Sequence, residues 1–160
     1  MNSHEFLRVC DEKFGFLQSE RGLKKKSSKG KSFPSVTYYN CQIAILIVCD
    51  FREARVYAEL YKLNGVEPEY DSLNGYYPYI NMDVLVSPHP ALTQAQQEQD
   101  VWKPLDRAQV RLKLSSYTEF LQHSPLALFR GDFDHLQSAK LLLDKMSREI
   151  QMMSLVSRAQ

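Results

Sequence analysis

The feature that most constrains this chain is a continuous apolar run at residues 43–49, which reads IAILIVC. Periodicity alone would also fit a buried helix, but the β-branched residues favour a strand that is buried on both faces. Residues 50–53 follow with the turn-like sequence DFRE, and residues 55–61 then alternate between polar and apolar side chains. Such alternation is typical of a half-buried strand. The sequence therefore predicts a β-hairpin, preceded by a first strand at residues 36–39.

Length and composition fit one globular domain over residues 1–160, with 44% hydrophobic and 24% charged residues. The formal net charge of +1 provides no whole-molecule field for nucleic acid or a membrane surface. The three cysteines, Cys10, Cys41 and Cys49, form no CxxC pair, and the N-terminal residues lack a signal-peptide pattern. We therefore expect reduced thiols, a cytoplasmic location and no membrane-spanning segment.

Residues 21–32 are the one compositionally biased segment, with several basic side chains and only neutral residues between them. The glycines and serines predict a flexible loop between the first helix and the sheet. The functional alternative is a basic arm for phosphate or an acidic partner, but the segment holds no aromatic residue to stack on bases. We favour a solvated loop and expect no nucleic-acid partner. The candidate residues of this basic loop are Lys24, Lys25, Lys26, Lys29 and Lys31.

Apolar spacing predicts the remaining elements. A first helix is expected at residues 3–17, a further strand at 80–86, a helix at 104–122, a short helix at 124–129 and a final helix at 133–155. The polar run at residues 93–100 is predicted to be a loop or a short solvated helix. Together these elements predict an α+β fold, in which an antiparallel sheet of about four strands packs against an N-terminal helix and C-terminal helices.

The final helix carries apolar residues at alternating spacings of three and four, which is the pattern of a coiled-coil seam. The candidate seam residues are Leu136, Leu143, Met146, Ile150 and Met153. Leu141 and Leu142 widen this stripe beyond a narrow seam. The pattern therefore fits a dimerisation helix, and it also fits a helix that lies on the sheet or on the preceding helix.

No group of residues carries a recognisable catalytic or metal-binding signature. The four histidines have no ligand spacing, and the common nucleotide-binding and nucleophile motifs are absent. Helix capping explains Asp132 and Asp134 better than metal binding does. Backbone hydrogen bonding in a turn explains Asp50 and Glu53 better than acid–base catalysis does. We predict no enzymatic activity, no metal and no cofactor.

Tyrosines are concentrated on the polar side of the second hairpin strand and in the irregular segment that follows it. Tyrosine is a frequent hot-spot residue at protein interfaces, although ordinary cross-strand pairing also explains such residues. The candidate partner-binding residues are Tyr57, Tyr61, Tyr70, Tyr76, Tyr77 and Tyr79.

Several short stretches resemble small α+β immunity proteins, which accompany bacterial polymorphic or contact-dependent toxins. These stretches are FGF at residues 14–16, VTYYN at 36–40, DFRE at 50–53, LAL at 126–128 and RGDF at 130–133. The resemblance covers most of the chain except residues 70–102. It implies a protein that binds and blocks a partner without catalysis, and it carries over no active site. The near-neutral charge departs from the acidic character expected of a nuclease inhibitor, which leaves the toxin class open.

These observations predict a non-catalytic, cytoplasmic protein-binding domain, in the form of an immunity protein that neutralises a toxin. The alternative is a homo-oligomeric scaffold that assembles through the C-terminal helix. The expected partner is therefore another protein or a second copy of this chain.

Overall fold

A meander sheet forms the centre of the molecule. The computed structural model describes residues 1–69, 73, 75–86 and 106–158. Within this part of the chain, five antiparallel strands follow one another across the sheet in sequence order. The strands are β1 (Lys24–Ser28), β2 (Ser35–Tyr39), β3 (Ile43–Asp50), β4 (Arg55–Lys62) and β5 (Tyr79–Asn81). The apolar run forms the central strand β3, and its pairing with β4 confirms the predicted hairpin.

Helices from both ends of the chain cover one side of this sheet. They are α1 (Ser3–Phe14), α2 (Phe16–Ser19), α3 (Arg107–His123) and α4 (Gln137–Arg158), with 3₁₀ turns at Met82–Val84 and Leu128–Arg130. Side-chain caps begin two of the helices, because Asn2 accepts a hydrogen bond from the Glu5 amide and Asp106 accepts one from the Ala108 amide. The fold is therefore α+β, as the sequence predicted.

The two faces of the sheet have different surroundings. On β4, Val56, Ala58 and Leu60 are buried in the main core, as the alternating pattern predicted. The buried apolar side chains of α1, α3 and α4 join the same core, so we call this side the inner face. The opposite, outer face bears a second group of side chains: Tyr39, Leu46, Tyr57, Glu59, Tyr61 and Tyr79.

The segment predicted as a flexible basic loop contains strand β1 instead. Lys24–Ser28 pairs with β2 in an antiparallel register, which raises the strand count from the predicted four to five. The prediction failed because it weighed composition alone, whereas β2 presents an open row of backbone groups that β1 completes. Lysine side chains suit such an edge strand, because they discourage pairing with further chains.

Other predicted boundaries also differ from the structure. The strand predicted at residues 80–86 ends at Asn81, whose side chain accepts a hydrogen bond from the Asp83 amide and begins a 3₁₀ turn. The final helix begins at Gln137 rather than at residue 133, and the first ends at Phe14 rather than at residue 17. Only a 3₁₀ turn, Leu128–Arg130, forms where a short helix was predicted at residues 124–129. The predicted loop at residues 93–100 lies outside the described residues.

Two aspartates stabilise turns, and for Asp50 this is the role that the sequence predicted. The buried Asp50 side chain accepts hydrogen bonds from the amides of Arg52 and Glu53 at 2.9 and 3.1 Å, which fixes the β3–β4 turn. Asp132 accepts one from the Asp134 amide at 2.8 Å. It stabilises a turn and does not cap the final helix as predicted, because that helix begins only at Gln137.

Candidate binding surface on the outer face of the sheet

One end of the outer face is filled by a row of aromatic side chains. Register places Tyr39, Ala44, Tyr61 and Tyr79 side by side across four strands. The rings of Tyr61 and Tyr79 lie 5.2 Å apart between centroids, within the range of favourable aromatic pairs. Leu73 completes this cluster, and Tyr61 is fully buried within it. This end of the face is therefore a small second core.

The hydroxyl of Tyr61 has a defined partner. It donates a hydrogen bond to the Glu59 carboxylate at 2.5 Å. Burial, together with this bond and the charge of Glu59, raises the pKa of Tyr61 well above its ordinary value. The phenol therefore stays protonated and bonded across the physiological range, and a fully buried ring offers no surface to a partner. These contacts give Tyr61 a structural role.

Tyr57 lies further along β4, towards the hairpin turn, and is partly exposed. The Arg55 guanidinium lies 5.3 Å from the centroid of the Tyr57 ring, and the same guanidinium forms an ion pair with Glu53 at 2.8 Å. Partial burial, followed by the negative charge of Glu59, raises the pKa of Tyr57. Tyr57 therefore presents a neutral hydroxyl and a ring that is held in place by a cation–π contact.

A second arginine–aromatic stack lies at the same end of the sheet. The Arg52 guanidinium lies 4.4 Å from the centroid of the Phe33 ring, which is 38% exposed. The Phe51 amide bonds to the Ser32 carbonyl at 3.0 Å, and this bond joins the β1–β2 connection to the β3–β4 turn. We call the side chains of Phe33, Arg52, Arg55 and Tyr57 the hairpin-end patch.

The lysines of the predicted basic loop differ in their surroundings. Lys24 pairs with Glu67 at 2.5 Å, and Lys25 pairs with Asp11, so these two join β1 to neighbouring parts of the fold. Lys26 lies on β1 and is exposed. Lys29 and Lys31 are exposed in the β1–β2 connection, and within the described residues neither belongs to an ion pair.

The predicted tyrosine surface does not form one continuous patch. Tyr57 lies at the hairpin end, whereas Tyr77 and Tyr79 pack around the second core at the opposite end. Tyr76 is 69% exposed, and Tyr70 lies outside the described residues. The structure therefore separates Tyr57 from Tyr61, Tyr77 and Tyr79.

Part of the predicted seam of the final helix is buried in the core. Leu143 is fully buried there, and Leu136 packs against the same cluster. Met146 and Ile150 are partly exposed, and Met153 is 61% exposed. This set cannot form one continuous dimer seam, because Leu143 is unavailable to a second copy.

Outside these surfaces, the thiols of Cys10 and Cys49 are buried and the Tyr117 hydroxyl is hydrogen-bonded within the fold. Burial raises the pKa of the Cys10 thiol above its ordinary range and that of the Cys49 thiol to about 12, which suppresses the nucleophilic thiolate. The Tyr117 hydroxyl donates a hydrogen bond to Asp83, which also pairs with Lys113 at 3.1 Å. Among the described residues, no group of three or more histidine, cysteine and acidic side chains is placed to hold a metal ion.

Sequence reasoning missed Phe33 and Arg52 as surface residues. The sequence predicts only a turn position for Arg52, and Phe33 stands 19 positions earlier, between the basic segment and β2. An arginine in a hairpin turn indicates a candidate surface residue, but the sequence does not show which aromatic ring this arginine contacts.

Comparisons with protein-family models, with curated proteins and with solved structures find no match to this chain. None of the described helices combines the length and apolar character needed to cross a membrane.

Proposed function

We propose that this protein is a non-catalytic, cytoplasmic binding domain that neutralises a protein toxin through the hairpin-end patch. The two arginine–aromatic stacks carry this proposal. Arginine and tyrosine are enriched among the residues that contribute most binding energy at interfaces. Stacking also restricts the side chains before the partner arrives, which reduces the entropy lost on binding.

The charge around the patch favours an acidic surface on the partner. Arg52 forms no ion pair within the described residues, and the exposed Lys29 and Lys31 lie in the adjoining connection. Of the nearby acids, Glu53 is paired with Arg55, and the Asp50 side chain is held by backbone amides. The Glu59 carboxylate accepts the hydrogen bond from Tyr61. Unpaired positive charge at an interface steers a negatively charged partner and is screened by salt.

The neutralising role is supported by the resemblance of the FGF, VTYYN, DFRE, LAL and RGDF stretches to immunity proteins. An immunity protein needs a rigid surface and no reacting group. The thiols of Cys10 and Cys49 fit that requirement because both are buried. The carboxylates of Asp50 and Asp132 accept hydrogen bonds from backbone amides of their own turns.

The proposal is tested by expressing the chain together with the product of the adjacent gene in a sensitive host. We expect that product to be toxic alone, and that this chain restores growth and co-purifies with it. Tyr57→Ala and Arg52→Ala should each weaken the complex about thirtyfold or more, as expected for hot-spot residues. Arg130→Ala is the matched control, because Arg130 is exposed and its turn lies at the other end of the sheet, where Asn40 donates a hydrogen bond to the Phe129 carbonyl.

Salt dependence tests the acidic character of the partner separately. Affinity should fall as ionic strength rises, and Arg52→Ala should make that dependence shallower. A toxin that is neutralised equally well by both patch variants would refute the proposed surface. If this chain does not restore growth, it does not neutralise that toxin and the proposed role is refuted.

A further inference from the structure

The final helix α4 leaves the body of the protein part-way along its length. Ala139 and Leu143 are buried against the main core. Lys62 of β4 pairs with Asp144 at 3.6 Å and fixes the same half of the helix. Every residue from 151 to 158 is exposed, so the last two turns have no partner within the described part of the chain.

The exposed half is apolar on the side that turns away from the core. In its last turns, Ser154 and Ser157 lie on the same side of the helix as the buried residues Ala139 and Leu143. Their hydroxyls donate hydrogen bonds to backbone carbonyls within the helix. The large apolar side chains that α4 exposes are Leu141, Leu142, Met152, Met153, Leu155 and Val156, between 43% and 72% exposed. Serines towards the body and apolar side chains away from it are the reverse of the pattern of a helix that packs on its own domain.

The apolar surface has charged residues at its centre. At 100° per residue, Leu141, Lys145, Glu149, Met152 and Val156 fall within an arc of about 80° on the side opposite Leu143. Within the described residues, Lys145 and Glu149 take part in no ion pair or side-chain hydrogen bond. The stripe is therefore apolar at both ends, with Lys145 and Glu149 in the middle and the exposed Arg148 at its edge.

We propose that this stripe binds a second copy of the chain, helix α4 against helix α4, in antiparallel orientation. A parallel pair in register would place Glu149 beside Glu149 and Lys145 beside Lys145. An antiparallel pair centred on residue 147 places Glu149 opposite Lys145 of the second copy, and twofold symmetry repeats that pair. The same register brings Leu141 and Leu142 of each copy against the paired methionines, residues 152 and 153, of the other.

The available area is sufficient for such a dimer. At roughly 100 Å² each, the six exposed apolar side chains present about 600 Å², the upper end of the largest apolar patch on a typical monomer. The polar side chains between them bring the face close to the roughly 800 Å² per partner that a standard stable interface buries. This surface is distinct from the hairpin-end patch, so dimerisation and toxin binding are separate properties.

Sedimentation equilibrium of the full chain tests the proposal. We expect a dimer mass at about 100 μM, where a micromolar dissociation constant gives a mostly associated protein. Met152→Glu should raise the dissociation constant at least about tenfold, since it places a charge in the apolar end of the stripe. Leu126→Glu is the control, because Leu126 is 54% exposed outside α4 and should leave the dimer unchanged.

A charge exchange tests the antiparallel register. Lys145→Glu and Glu149→Lys should each weaken the dimer, and the double exchange should restore it, because opposite charges again face each other. Unchanged circular dichroism would show that each variant is folded. A monomer mass for the wild-type chain at this concentration, a dimer that Met152→Glu leaves intact, or a double exchange that restores nothing would each overturn the proposal.

Discussion

Tyr61→Phe removes one buried hydroxyl and leaves the ring in place, so it isolates the bond to Glu59. Hydrogen bonds to charged groups contribute about 1.5–3 kcal/mol net, and the lower end applies here because Glu59 is partly exposed and can regain water. We therefore expect a loss of about 1.5 kcal/mol, which for a domain of this size lowers Tm by roughly 3–6 °C. Chemical denaturation and thermal unfolding both measure this loss.

A double-mutant cycle with Glu59→Ala tests whether the loss belongs to this pair. The coupling energy should be about 1 kcal/mol or more, whereas additive effects would show that the contact contributes nothing. Tyr76→Phe is the matched control, because the Tyr76 ring is 69% exposed and its hydroxyl is not buried. A Tyr61→Phe variant as stable as the wild type would refute the structural role assigned to this tyrosine.

Three further predictions concern packing, thiols and pH. Leu143→Ala should lower the free energy of unfolding by about 2–5 kcal/mol. Leu141→Ala, measured in dilute protein, should change it by less than about 0.5 kcal/mol. Equal effects of the two variants would contradict the packing of α4 against the core. A thiol reagent should modify Cys41 in the native protein but Cys10 and Cys49 only after denaturation, and rapid native modification of all three would contradict their burial. Because burial raises the pKa of Cys49 from 9.0 to about 12, its contribution to stability is complete below pH 9.0 and is lost as pH rises towards 12. Denaturant titrations should therefore show the unfolding free energy falling across that interval, and a constant value would contradict the assignment.

The central hairpin could be predicted because its residues carry the signal locally. The run at residues 43–49 is apolar on both faces, and the alternation on β4 assigns Val56, Ala58 and Leu60 to the core. Strand β1 could not be predicted from its composition, because three successive lysines and two serines have no strand preference of their own. They form a strand because β2 supplies a hydrogen-bonding edge, which is a tertiary condition.

The candidate surfaces were predicted only in part, for similar reasons. Sequence placed Tyr57 and Tyr61 on one face of β4 but could not show that Leu73 and Tyr79 bury one of them. The contact between Arg52 and Phe33 depends on how two turns meet at one end of the sheet. The periodicity of α4 identified an amphipathic helix, but the residue at which a helix leaves the body depends on the extent of the sheet beneath it.

The most direct test of the proposed function is the affinity of the purified chain for the adjacent gene's product, measured by isothermal titration calorimetry. The proposal predicts binding that Tyr57→Ala weakens about thirtyfold or more and that Tyr61→Phe leaves within about twofold, because only the first ring is available to a partner. Arg130→Ala should bind as the wild type does. A Tyr57→Ala variant that binds with unchanged affinity would contradict the hairpin-end patch as the binding surface, and no binding by the wild type would contradict the assignment of this partner.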